Sequence, residues 1–164
     1  TMEQADAWAE QAEAAFAEFP DERYAFSRIK LIRGYFSLQA GDRAKAAERF
    51  MDALRLGGEL GQTAYILIAL AGTGALAALL GRVREAVMLF GRATPVLESG
   101  SPYVDDGAVA ARRAFAEVSR VIKERLGARS FDEWLSEGRD LSLERATELA
   151  IGIIEEAKAA PPAS

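Results

Sequence analysis

Between Met2 and Phe19 the apolar residues Ala5, Trp8, Ala12, Ala15, Phe16 and Phe19 recur at three- and four-residue steps among Glu, Gln and Asp. That spacing predicts an amphipathic helix, which Pro20 stops. Asp21 is placed to cap a second helix running to Ala40, with Gly41 as its stop. A third begins at Asp42 and puts Ala46, Ala47, Phe50, Ala53 and Leu54 on one face, and Gly57-Gly58 loosens its end. Gln62 to Leu80 reads as a nearly all-apolar fourth helix ending at Gly81, and Val83 to Ala93 as a fifth, broken by Thr94-Pro95. Ser101-Pro102 marks a loop before a long sixth helix, Val104 to Leu126. Ser130 and Glu133 have the spacing of a capping box for a short seventh helix ending near Gly138. Ser142 caps an eighth that ends around Lys158, and Pro161-Pro162 lies in a frayed tail. No segment keeps the two-residue alternation of a strand.

The pattern also repeats. Ala46-x3-Phe50-x2-Ala53 returns forty residues later as Ala86-x3-Phe90-x2-Ala93, and a weaker copy stands earlier as Ala12-x3-Phe16-x2-Phe19. Upstream of each strong copy lies a glycine pair, Gly34 with Gly41 and Gly74 with Gly81. Stacked helical hairpins need these residue types: small residues where two helices approach, a large ring between hairpins, and a glycine for the tight turn.

The stretches Gly34-x6-Gly41-Asp42-x3-Ala46-x3-Phe50-x2-Ala53 and Gly74-x6-Gly81-x4-Ala86-x3-Phe90-x2-Ala93 resemble tetratricopeptide repeats. Where that family has a bulky apolar residue before the first small one, this chain has Arg33 and Thr73. The resemblance implies an all-α superhelix of antiparallel hairpins over residues 1–100, a divergent helical segment over 101–160 packed on it as a cap, and a disordered tail at 161–164. It also implies a concave groove lined by Arg28, Leu31, Tyr35, Leu38 and Gln39, then by Ile68, Ala71, Ala75, Ala78 and Leu79. The first set mixes cationic, aromatic and amide groups suited to a peptide or small ligand, and the second is smooth and apolar. The plain alternative is that both sets pack on another domain or subunit. The Lys/Asn pattern by which chaperone-binding members hold a carboxylate is absent, since Leu31 and Tyr35 occupy two of its places.

Composition removes much of the usual chemistry. The 164 residues include no cysteine and no histidine. Disulfides, Cys/His zinc sites and histidine-based nucleophilic or general-base catalysis are therefore excluded within this chain. No Gly-x4-Gly-Lys-Ser/Thr loop is present to cradle phosphates. The net charge of -5 argues against nucleic-acid binding. Charge is unevenly spread: residues 1–26 hold seven acids and one base, residues 27–100 ten bases and six acids, read as two oppositely charged solvated faces. Gly72-x-Gly74-x-x-Ala77 mimics a dinucleotide fingerprint, but the repeat places it inside a hairpin helix with no following β-α unit. Ala64 to Leu80 sits at the lower edge of membrane-span length and is read as a buried solenoid helix. Asp105-Asp106 and Glu155-Glu156 are read as a helix start and solvated surface rather than metal ligands. Arg112, Arg113, Arg120, Lys123 and Arg125 make one side of the sixth helix basic, with Glu117 and Glu124 spaced for intrahelical ion pairs. Phe131 and Trp134 are expected to dock the seventh helix.

A second resemblance lies in Leu126-Gly127, Ser130-Phe131-x2-Trp134-x2-Glu137-Gly138-Arg139-x-Leu141-Ser142-Leu143-x2-Ala146. This run is similar to the end of the helical-repeat region in large bacterial LuxR-type, MalT-like ATP-dependent regulators. It implies a cytoplasmic regulatory parent whose ATPase and DNA-binding modules lie outside this chain. The opening at Thr1-Met2, directly into helical pattern and without a secretory leader, is what a fragment of a longer polypeptide would show. The expected function is non-catalytic: binding of a protein, peptide or small effector, without cofactor, metal, membrane or direct nucleic-acid contact. The alternative is a structural linker or homodimerisation scaffold with no ligand of its own.

Overall fold

The computed structural model of the chain describes residues 2–17, 23–99 and 106–160. These form eight helices: α1 (Met2–Ala17), α2 (Arg23–Gln39), α3 (Arg43–Glu59), α4 (Thr63–Leu79), α5 (Val83–Leu97), α6 (Asp106–Leu126), α7 (Ala128–Arg139) and α8 (Leu143–Ala159). The fold is all-helical, with no strand among the described residues. Asp21, the loop at Ser101-Pro102 and the tail at 161–164 lie outside them.

One turn, used three times, sets the spacing of the first hairpins. Gly41, Gly61 and Gly81 stand twenty residues apart and have φ of 77°, 63° and 79°. A left-handed residue after a helix is cheap only for glycine. The next residue's N–H then reaches back to a carbonyl inside the helix: Asp42 to Ser37 at 2.9 Å, Gln62 to Gly57 at 2.8 Å, Arg82 to Ala77 at 2.9 Å. α3 and α4, each bounded by two such turns, are both 17 residues long. Asp42 caps α3 by accepting from the Lys45 N–H, and Ser142 caps α8 by accepting from the Arg145 N–H.

Three boundaries differ from the sequence expectation. α3 does not loosen at Gly57-Gly58 but runs through both to Glu59. Gly57 is buried there, and a Cβ on it would stand 2.9 Å from Ile66. α5 does not break at Thr94-Pro95 but continues to Leu97. Proline cannot donate to the Gly91 carbonyl one turn back, and the Thr94 hydroxyl donates to that carbonyl instead, at 2.6 Å. α7 begins at Ala128, before Ser130, so no capping box forms. Gly127, with φ 86°, turns the chain, and Glu133 accepts from Arg129.

α4 is buried without interruption from Ile66 to Ala77 and packs against α2, α3, α5, α6 and α8. Gly72-Thr73-Gly74 lies mid-helix, and the Thr73 hydroxyl donates to the Ala69 carbonyl, so the dinucleotide fingerprint is not a turn. Phe50 is fully buried and forms an edge contact with Tyr35, ring centres 5.2 Å apart. At the equivalent place in the second hairpin stands Ala75, and the ring edge-on to Phe90, also at 5.2 Å, comes from Phe115 of α6. α7 lies on α5, where Gly91 and Gly138 let the two backbones touch. Phe131 is 1% exposed beside Phe115, with the Lys123 ammonium 4.5 Å from its ring centre. Trp134 packs half-buried on the same cluster. α8 packs on α3, α4 and α5, and one continuous core runs from Leu31 to Ala157. No helix among the described residues is long and apolar enough to cross a membrane.

Candidate functional site

α6 crosses both α2 and α4. Its N-terminal half closes against them: Ala108 and Ala111 belong to the same core as Leu31, Ile68 and Ala71. From Ala110 to Leu126 another side of the helix borders a cleft of about 900 Å³. The floor comes from repeat-equivalent positions of α2 and α4, Tyr35 with Ala75, Leu38 with Ala78, and Gln39 with Leu79. α6 supplies the opposite wall with Ala110, Ala114, Val118, Val121, Ile122 and Leu126, and Val83 of α5 completes the apolar lining. Ala110 to Leu126 is sixteen helical steps, so the wall extends roughly 24 Å at 1.5 Å per residue.

The interior is aliphatic. The one ring on the lining, Tyr35, is 3% exposed, and its hydroxyl donates to the Ile68 carbonyl at 2.8 Å. Burial pushes the Tyr35 phenol well above its ordinary pKa, so this donor keeps its proton at any physiological pH. Polar groups gather at the mouth: Gln39, Arg113, Glu117 and Arg125, all exposed. Arg113, Glu117 and Arg125 have no ion-pair partner among the described residues. Elsewhere exposed arginines are paired, as in Arg55–Glu59 at 2.9 Å, Arg120–Glu124 at 3.0 Å and Arg129–Glu133 at 3.0 Å. The expected pairing within α6 therefore forms at Glu124 but not at Glu117.

The groove expected from the sequence is thus only partly open. Tyr35, Leu38, Gln39, Ala75, Ala78 and Leu79 come together on the cleft. Leu31, Ile68 and Ala71 do not face it: they are 0%, 2% and 0% exposed, because the two hairpin helices and α6 pack over them. Arg28 is exposed but lies outside the lining. The α6 wall is an addition to that groove, and its signal in the sequence is the run of apolar residues at helical spacing from Ala110 to Leu126, interleaved with the arginines.

A second polar constellation joins α1, α2 and α3. Glu13 contacts Lys30, accepts from Arg33, and lies 3.4 Å from Arg49, while Lys30 also reaches Asp52 at 3.0 Å. The Arg33 side chain is 5% exposed, and Glu13 also lies well inside this contact. Burial alone would raise the Glu13 pKa, but hydrogen bonds and charge from Lys30 and Arg33 outweigh it and hold the carboxyl below its ordinary range. Burial likewise opposes the Lys30 charge, and Glu13 with Asp52 raises its pKa regardless. The acidic N-terminal segment and the basic segment after it therefore meet here, rather than forming two separate solvated faces. Every member of the cluster is engaged, which suits a structural joint. Among the described residues no group of acids is arranged to hold a metal ion.

No family model, curated protein or solved structure matches this chain.

Proposed function

We propose that the chain is a non-catalytic binding module, a tetratricopeptide-like array of helical hairpins whose concave side senses an effector or holds a partner segment. The observation that carries this reading is the aliphatic cleft floored by repeat-equivalent residues of α2 and α4 and walled by α6. Pockets of this size and apolar character, with a few polar groups at the edge, are the usual form of ligand sites. The forty-residue recurrence and the glycine turns at 41, 61 and 81 support the repeat assignment. The C-terminal resemblance to bacterial ATP-dependent regulators supports a cytoplasmic signalling parent.

The test is to purify the chain, look for co-purified small molecules by native mass spectrometry, and titrate it with the parent's other domains. Leu79→Glu should abolish binding, because it places a carboxylate at a cleft position that is already 46% exposed and so tolerates change. Binding that ignores Leu79→Glu moves the interaction off the cleft. Turnover of ATP by the purified chain would overturn the non-catalytic reading.

A further inference from the structure

Taking the cleft as the binding site, the geometry points to its occupant: we infer that it takes an aliphatic chain ending in an anionic head, the chemistry of a fatty carboxylate. Three observations carry this. First, the buried lining offers no free hydrogen-bond donor, since the Tyr35 hydroxyl already donates to the Ile68 carbonyl. A ligand part buried here would lose its hydration without compensation if it were polar. An extended peptide, a sugar or a nucleobase would be penalised in this way, and a run of methylenes would not. Second, small residues face the cleft from both sides, Ala75 and Ala78 on the floor and Ala110 and Ala114 on the wall, leaving a slot elongated along α6. A slim unbranched chain can lie against such a floor with close contact along its length. Third, the mouth carries two arginines and one glutamate, all exposed and without ion-pair partners among the described residues, on a chain whose total charge is -5. The local excess is positive where the molecule as a whole is negative. That selects an anionic head over a neutral or cationic one.

Arg113 and Arg125 are twelve residues apart, roughly 18 Å along the helix. They therefore serve alternative positions of a head group rather than clamping one anion together. Glu117, one turn from Arg113, disfavours an anion midway along the wall and sends the head toward an end. The chain itself then lies on Leu38, Leu79 and Val121.

Isothermal calorimetry with dodecanoate, dodecanol and dodecyltrimethylammonium tests this on the whole chain. Dodecanoate is expected to bind at one site, more tightly than the alcohol, and the cationic amphiphile is expected to bind most weakly. The double variant R113A/R125A, which changes only exposed side chains, should weaken dodecanoate about three- to tenfold and weaken dodecanol less. L79E should remove both. Equal affinity for all three heads, or an R113A/R125A variant that binds dodecanoate like the parent, would overturn the head-group assignment. A parallel titration with the apolar dye anilinonaphthalene sulfonate separates this inference from the cleft reading beneath it. Dye binding that is lost in L79E but not displaced by dodecanoate would leave the cleft as a binding site and refute the aliphatic occupant. No binding of dye or amphiphile would refute both.

Discussion

Two glycines, Gly34 and Gly72, stand against the Phe50 ring. A Cβ on Gly34 would stand 2.6 Å from the ring, and one on Gly72 closer still. Gly34→Ala should therefore lower stability by about 1–3 kcal/mol through overpacking. Phe50→Leu in the same chain should recover part of that loss, a coupling that urea denaturation of the single and double variants can measure. The contrast lies at Gly58 and Gly152, which are helical, exposed and without neighbours where a Cβ would go. Alanine there should raise stability by about 0.5–1 kcal/mol each, because only the helix penalty of glycine is removed. Phe90→Ala, at a fully buried ring, should cost roughly 3–5 kcal/mol. The helical spacing showed these phenylalanines as core. It did not show Gly72 against Phe50, because that contact joins α4 to the preceding hairpin and has no counterpart in local pattern.

Ion pairs from Glu13 tie α1 to α2 and α3. Glu13 has its pKa depressed, so its contribution is complete above the ordinary carboxylate value and is lost as pH falls through the lower folded value. Lys30 has its pKa raised, so its contribution holds below its ordinary value and disappears only at strongly alkaline pH. α1 should accordingly loosen on acidification below about pH 4.5 while the remaining helices persist. Amide exchange read helix by helix would show it, and Glu13→Gln should give the same local loss of protection at neutral pH. The sequence displayed both halves of this joint as charge counts but could not pair them across three helices. Element ends were legible where a lone glycine stood, at Gly41 and Gly81. They were obscured at Gly61, because Gly57 and Gly58 sent the same signal earlier and only burial against Ile66 overrode it. Pro95 misled for a similar reason: the remedy was a hydroxyl beside it, donating to the Gly91 carbonyl.

At the scale of the molecule, α8 returns to α3, more than eighty residues earlier, and touches α4 and α5 on the way. No periodic signal announces which face a terminal helix will choose, so this closure was invisible in the chain. A plain stack of hairpins gains its stability from neighbours alone and can fray from either end. Here Ile153 and Ile154 are fully buried in the shared core, and Ile153→Ala should cost about 2–5 kcal/mol. Exchange protection should then fall in α3 as much as in α8. Loss confined to α7 and α8 would show that the hairpins stand alone. The closure also bears on how such a protein can evolve. Repeat arrays lengthen by duplication, each new copy docking on the last. In this chain a forty-residue copy inserted after α5 would carry α7 and α8 one hairpin further from α3, exposing the face that α8 now covers. Such an insertion would cost the buried contacts of Ile153 and Ile154, which makes substitution within the helices the cheaper route of change.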